Sequence, residues 1–235
     1  MSRLLLMLSV ILLSSQDVYS QVLDQVLNRH FEATGQEKLN DVSTLRSTGK
    51  ALQMGMELPF LQIQQRPGKM YLEIDIQGTK IIQVYDGKKG WSVEPWMDPE
   101  PRELTGPELT SVSQVASIDS DLVNWREKGH KVKLEGRELL DGEEVFRIDL
   151  VKEDNVIYRF YIDADSYLIN KIVTKNDFEG NSVEGETVLS DYRDIDGIMV
   201  PFRTEIRFGG NTLMSNLVDK VEFDVIIEDN IFSRP

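Results

Sequence analysis

Strict alternation of apolar and polar residues, broken by short turn sequences, constrains the fold of this chain more than any other feature. The clearest case is Met70, Leu72, Ile74 and Ile76, which alternate with more polar residues. Because successive side chains of a β-strand point to opposite faces, this pattern predicts a strand with one apolar face. Turn sequences that suit antiparallel hairpins separate such segments: Arg66-Pro67-Gly68, Gln77-Gly78, Asp86-Gly87, Asp141-Gly142, Asp196-Gly197 and Gly209-Gly210-Asn211. We expect about ten or eleven strands.

A second alternating segment runs from Ala51 to Phe60. Its apolar members are Leu52, Met54, Met56, Leu58 and Phe60. The spacing predicts one continuous strand with these side chains on a single face. Methionine side chains adapt to irregular spaces at little cost, so this face is expected to be apolar but adaptable.

Two regions predict helices. Apolar residues from Val22 to Phe31 recur at helical spacing and stop before Gly35, which predicts a short amphipathic helix. Four of the eight prolines lie between Pro95 and Pro107, and the residues that follow lack alternation. We predict that residues 95–129 form an insertion with one or two short helices that covers the sheet. Its apolar residues are Leu109, Val112, Val115, Leu122 and Trp125.

The number of apolar residues limits how this sheet can bury its apolar face. Ten strands present about thirty inward-facing side chains, whereas two or three short helices offer about fifteen. The sheet must therefore curl on itself, pack as a sandwich, or enclose a space that something else fills. Apolar spaces beneath helical covers bind apolar ligands. A dry sandwich core remains the alternative at this point.

The first twenty residues have the pattern of a secretory signal peptide. Arg3 supplies a positive charge, and the stretch from Leu4 to Leu13 is apolar. Val18 and Ser20 fit the positions before a cleavage site, so we expect the mature chain to begin at Gln21. The apolar run is half the length of about twenty residues that a membrane span needs. An uncleaved membrane anchor is the alternative.

Composition excludes several classes of function. The chain has 40 acidic and 26 basic side chains and a net charge of -14, which disfavours binding to nucleic acid. It has no cysteine, and its two histidines, His30 and His130, lie in no hydrolase or metalloprotease motif. We expect His30 at the surface or boundary of the first helix and His130 in a loop. No enzymatic activity, metal or cofactor is predicted.

Several hairpin sequences together resemble a known family. Gln65-Arg66-Pro67-Gly68 opens a strand, and Asp86-Gly87-Lys88 precedes Trp91 and Pro95. In this order, after a secretory signal, they resemble LolA, the periplasmic lipoprotein carrier, and its outer-membrane lipoprotein-sorting relatives. Later hairpins are similar to the broader group: Tyr161 to Leu168, and Asp191 to Gly197 with Pro201. The resemblance spans most of residues 21–235.

The resemblance implies a fold and a function. The fold class is mainly β with helices, as an incomplete antiparallel β-barrel closed by a short helical lid, in one domain over residues 21–235. The implied function is a periplasmic, monomeric carrier that shields the acyl chains of lipoproteins and delivers them toward the outer membrane. Its implied partners are an inner-membrane ABC exporter and an outer-membrane acceptor, with only transient membrane contact. A LolA-like regulatory or sensor module and a carrier of free lipid are the alternatives.

The candidate site residues follow from the alternation and from the resemblance. We expect the following side chains to line the lipid-binding cavity: Leu52, Met54, Met56, Leu58, Met70, Leu72, Ile74, Trp91 and Val93. The lid is expected to contribute the apolar residues of the 95–129 insertion. The resemblance further implies that Arg66 lies at the rim and couples lid closure to loading, and its guanidinium would cap lid carbonyls.

Overall fold

The computed structural model describes residues 21–152, 156–178 and 181–235. The predicted signal peptide and its cleavage site lie outside the described residues. The first helix, α1, covers residues 21–34 and buries the predicted stripe of Leu23, Val26 and Leu27. It ends before Gly35, whose φ of 72° is a left-handed conformation that glycine adopts without strain. Two further α-helices, α2 (Gln36–Asp41) and α3 (Gly106–Val115), and a 3₁₀-helix, Asp229–Phe232, follow.

The strands form one antiparallel sheet. In the part of the chain that is described they number thirteen: β1 (Thr44–Gln53), β2 (Met56–Gln65), β3 (Lys69–Ile76), β4 (Thr79–Tyr85), β5 (Gly90–Glu94), β6 (Asp98–Leu104), β7 (Lys131–Leu140), β8 (Glu143–Val151), β9 (Ile157–Asp163), β10 (Ile169–Phe178), β11 (Asn181–Ile195), β12 (Ile198–Phe208) and β13 (Asn211–Phe223). Their order is β6-β5-β4-β3-β2-β1-β13-β12-β11-β10-β9-β8-β7. The ladder does not close, because β6 and β7 are its edges. The predicted class, an unclosed antiparallel sheet with few helices, is confirmed.

The chain divides into two compact units, at Gln36/Glu37, Val123/Asn124 and Thr187/Val188. The α1 unit holds helix α1, strands β7 to β10 and the first part of β11. The α3 unit holds helix α3, strands β1 to β6, the second part of β11, β12, β13 and the 3₁₀-helix.

Within the α1 unit, the buried core includes Val145, Tyr161 and Val173. His30 is also buried there, so its expected place at the helix surface is wrong. Its Nδ1 lies 2.8 Å from the backbone carbonyl oxygen of Tyr167, a partner 137 residues away that periodicity cannot reveal. Burial lowers the pKa of His30, and the contact with that carbonyl opposes the shift only in part.

Within the α3 unit, strand register assigns side chains to two faces. Met70 pairs with Tyr85, and Leu72 pairs with Gln83, on the face that helix α3 covers, here called the α3 face. Tyr71 pairs with Val84 on the opposite face. Phe232 of the 3₁₀-helix packs on that second face, here called the C-terminal face. Each face therefore has its own cover near β3 and β4.

The predicted continuous strand from Ala51 to Phe60 is wrong. The chain reverses at Met54-Gly55, and β1 and β2 pair on either side of this turn. Both turn residues have positive φ, 50° at Met54 and 78° at Gly55, as a tight hairpin turn requires. A left-handed methionine is uncommon, so the regular alternation concealed the turn. This hairpin and the proline-rich strand β6 partly account for the larger number of strands.

Residues 95–129 contain strand as well as helix. Asp98–Leu104 forms edge strand β6, which tolerates proline because one side of an edge strand needs no hydrogen bonds. Helix α3 follows, and residues 121–129 form turns, so one of the two possible helices is present.

Candidate functional site

Helix α3 rests on the sheet through a narrow apolar stripe. Leu109, Val112 and Ala116 recur at helical spacing and pack against Met70 and Leu104. The outward positions of the helix are small or polar residues, and most are exposed. Few apolar contacts therefore hold the helix to the sheet.

Two features place the start of α3. Pro107 lies in the first turn, where a missing N–H costs nothing. Glu108 accepts hydrogen bonds from Arg102 of β6, with N–O distances of 2.7 and 3.0 Å. These bonds lower the pKa of the Glu108 carboxyl. Its negative charge is also favourable near the N-terminus of a helix.

Gly90 of β5 permits the close approach of α3. A Cβ at this position would lie 3.1 Å from Leu104, 3.2 Å from Leu109 and 3.2 Å from Val112. Because glycine has no side chain, helix α3 can pack directly on β5. Met70, Leu104, Val112 and Ala116 are all buried in the resulting cluster. An acyl chain would fit at this position only if α3 moved away.

The α3 face continues beyond the helix toward the β1–β2 turn. Phe60, Ile74 and Ile81 pair across β2, β3 and β4 and are half-buried. Between this row and the α3 cluster lie Gln62 and Gln83, which also face this side by register. The face is therefore mainly apolar, with glutamine side chains among the apolar ones.

Polar side chains at the end of β2 hold the segment that contains α3. Gln64 is buried, and its Nε2 donates to the carbonyl oxygens of Val115 at 2.6 Å and Ser117 at 3.1 Å. Val115 is the last residue of α3, where carbonyls lack partners within the helix. Gln64 therefore caps the C-terminus of α3.

Arg66 joins two segments that are distant in sequence. Its guanidinium donates to the carbonyl oxygens of Val42 at 2.7 Å and Leu39 at 3.0 Å, at the end of α2. It also forms a bidentate ion pair with Asp119, in the segment after α3. Hydrogen bonding to Asp119 raises the pKa of Arg66. We call Gln64, Arg66 and Asp119 the β2 latch.

The hydrogen-bond partners of Arg66 differ from those that were expected. Arg66 was expected to cap lid carbonyls, but Gln64 does so, and Arg66 binds a lid carboxylate and α2 carbonyls instead. Sequence reasoning missed both Gln64 and Asp119. The sequence did hold one indication of Gln64. It lies an even number of residues from Leu58 and Phe60 in β2, so it is a polar residue on the same face as these apolar ones.

The nine predicted cavity residues do not share one face. Strand register places five on the α3 face: Met56, Leu58, Met70, Leu72 and Ile74. Leu52, Trp91 and Val93 lie on the C-terminal face, where Trp91 packs with Val84 and Phe232. Met54 is exposed in the β1–β2 turn. The reversal at Met54 shifts Leu52 to the other face, and β5 pairs Trp91 with Val84 rather than with Tyr85.

The predicted lid residues also differ in their surroundings. Leu109 and Val112 pack on the sheet, Leu122 is buried, and Val115 is exposed at the end of α3. Trp125 belongs to the α1 unit, where the Arg126 guanidinium lies 4.2 Å from its ring centre. There it lines a cavity of about 430 Å³ with Leu23 and Val132.

A smaller cavity, about 310 Å³, lies beside α3 in the α3 unit. Its lining includes Lys69, Asp86, Lys88 and Ser113. Among the residues that the structure describes, no group of three or more carboxylates or histidines is placed to hold a metal ion. No helix in the same ranges is both long enough and apolar enough to cross a bilayer.

Comparison with known proteins finds similarity in structure but not in sequence. No protein-family model and no curated protein sequence matches the chain. A DUF1329-family protein of Desulfovibrio piger is similar with a TM-score of 0.62 at 14% identity, over 88% of this chain and 97% of that chain. A LolA-superfamily protein of Nitrosomonas europaea has a TM-score of 0.60 at 13% identity, over 89% and 96%.

A third solved structure is described as an outer-membrane lipoprotein-sorting protein domain, from Vibrio parahaemolyticus. Its TM-score is 0.59 at 12% identity, over 86% of this chain and 95% of that chain. Identities this low establish the fold alone. The chain therefore has a LolA-like fold, as the hairpin motifs predicted.

Proposed function

We propose that this protein is a periplasmic carrier that shields the acyl chains of lipoproteins and delivers them toward the outer membrane. The observation that carries the proposal is the α3 face, where half-buried apolar side chains lead from the β1–β2 turn to a helix on a narrow apolar stripe. The acyl chains would lie along Phe60, Leu72 and Ile74 and displace α3. The LolA-like fold is consistent with this role.

Loading and release in such a site depend on two opposing free-energy contributions. Lifting α3 would expose Val112, Ala116 and the buried part of Leu109, at a cost on the order of 5 kcal/mol. Burial of one long acyl chain contributes roughly 10 kcal/mol before other costs. The acyl chain can therefore displace helix α3. The return of α3 to the sheet favours release of the acyl chain. Met70 beneath α3 can reshape as the occupant changes.

Acyl-chain binding is expected to depend on the α3 face and not on the C-terminal face. Ile74→Glu should weaken the binding of a fluorescent diacylated peptide by about tenfold or more, because a carboxylate beside the acyl chain loses its hydration. Titration of the purified protein in solution measures the affinity.

Leu52→Glu is the matched control. Leu52 is also half-buried near the β1–β2 turn but lies on the C-terminal face, so its variant should bind as the wild type does. Thermal unfolding would verify that both variants are folded. Equal affinities for the wild type and Ile74→Glu would contradict the proposed site.

The cargo is expected to be an acylated polypeptide. Native mass spectrometry of the protein isolated from the periplasm of the exporting cell should detect a complex with a lipoprotein mass. Co-purified phospholipid or fatty acid alone would favour a carrier of free lipid. A stable complex with an unacylated protein, and no lipid uptake on challenge, would favour a sensor module.

A further inference from the structure

Four hairpin turns lie at one end of the sheet in the α3 unit. The turns are Met54-Gly55, Gln77-Gly78, residues 95–97 and Gly209-Gly210. Strand register places them together: Gln53 pairs with Met56, Ile76 with Thr79, Glu94 with Asp98 and Phe208 with Asn211. Leu52 also pairs with Ser215, which sets Leu213 level with Met54. The β2 latch lies at the opposite end of these strands.

Large apolar side chains are exposed at this end. Met54 is 91% exposed, Met97 76%, Leu213 53%, Trp96 52% and Phe208 51%. They project from three separate hairpins. We call these five residues the apolar rim.

The three turns that carry the apolar rim contain no charged residue, whereas the β3–β4 turn, which carries no rim residue, holds the Asp75 carboxylate through the Gly78 N–H. Residues 54–55, 77–78, 95–97 and 208–213 contain no Asp, Glu, Lys or Arg, although 28% of the chain's residues are charged. At the opposite end, the β4–β5 turn contains Asp86, Lys88 and Lys89, and the β11–β12 turn contains Asp196. The three turns of the apolar rim therefore carry no charge, whereas the turns at the other end of these strands carry charged side chains.

We propose that the apolar rim docks onto the surface of a lipid bilayer. Uncharged turns with tryptophan, phenylalanine and methionine can enter the interface between headgroups and acyl chains without burying a charge. Glu94 and Asp98 flank the turn with Trp96 and limit insertion to the turn itself. The net charge of -14 opposes attraction to anionic lipid, so docking is apolar and insensitive to salt.

Docking at this end would place the bilayer next to the α3 face. Met56 and Leu58 of that face begin directly after the β1–β2 turn. An acyl chain could then pass between the bilayer and the protein with little exposure to water. This consequence rests on the proposed carrier function, whereas docking itself does not.

Co-sedimentation with vesicles of phosphatidylcholine, a zwitterionic lipid without net charge, tests the docking surface. The wild-type protein should bind, with equal affinity at low salt and at about 0.5 M salt. The triple variant Trp96→Ser, Met97→Ser, Phe208→Ser should bind about a hundredfold more weakly, because each side chain contributes up to tenfold. Bromine atoms on the lipid acyl chains should quench Trp96 in a Trp91→Phe, Trp125→Phe background.

The control replaces exposed apolar residues elsewhere. Leu139 and Ile226 are more exposed than Trp96 but lie outside the apolar rim. Leu139→Ser with Ile226→Ser should therefore bind vesicles as the wild type does. Equal loss in this control, or no vesicle binding by the wild type, would overturn the docking proposal.

A second measurement separates docking from carrier function. The triple variant should still bind the diacylated peptide in solution. Trp96 and Met97 lie in a turn, and strands β2, β1 and β13 separate Phe208 of β12 from Ile74 of β3. Retained peptide binding with lost vesicle binding supports docking. Loss of both would assign the rim residues to the acyl site or to folding, and would overturn docking as their role.

Discussion

A disulfide between positions 90 and 112 is expected to abolish acyl-chain loading. In the oxidised double variant Gly90→Cys, Val112→Cys, helix α3 is held on β5, and the space under it stays filled by Met70 and Leu104. Affinity for a diacylated peptide should fall by about a hundredfold or more, because the apolar contacts of one acyl chain are lost. Reduction of the disulfide should restore binding.

The geometry of this pair suits a disulfide. A Cβ on Gly90 lies 3.2 Å from the Cγ2 atom of Val112, so the two Cβ atoms fall near the separation of about 3.5 to 4.5 Å that disulfides require. The backbone of Gly90 is not in the left-handed region, so a side chain is sterically possible. The chain has no cysteine of its own, so no other disulfide can form within it.

The single-cysteine variants are the controls for the locked protein. Each should bind the acylated peptide under oxidising and reducing conditions alike, apart from the effect of the substitution itself. Wild-type affinity in a fully oxidised double variant would mean that acyl chains bind without movement of α3. The loading scheme would then be wrong, and the acyl site would have to lie farther along the α3 face, around Phe60 and Ile81.

The sequence predicted the features that depend on local periodicity. Alternation from Met70 to Ile76 predicted strand β3 correctly. No turn interrupts this segment, so alternate residues do lie on opposite faces of the sheet. Spacing gave helix α3 through Leu109 and Val112, and the hairpin motifs gave the LolA-like fold.

Features that depend on register or on distant partners were missed or wrong. The turn at Met54 placed Leu52 and Met56 on different faces, although they have the same parity in the sequence. Trp91 was assigned to the cavity, but its face follows from pairing with β4. The contact between Arg66 and Asp119 spans 53 residues, and no local pattern indicates it.

Replacement of Arg66 is expected to have the largest effect on stability. Arg66→Ala leaves the Asp119 carboxylate and the carbonyls of Leu39 and Val42 without these bonds. The side chains of Arg66 and Asp119 are only 29% and 21% exposed, so water replaces the lost bonds incompletely. The free energy of unfolding should fall by about 3 kcal/mol. Urea unfolding of the purified protein measures it.

Two conservative variants separate stability from lid coupling. Arg66→Lys keeps the charge but not the planar fork, so it cannot serve both the α2 carbonyls and Asp119. Asp119→Asn keeps the arginine bonds to α2 and weakens only the tie to the segment after α3. Both should speed hydrogen exchange in α3 and the release of a bound diacylated peptide. If release is unchanged while only the unfolding free energy falls, Arg66 stabilises the α3 unit and has no part in opening the lid.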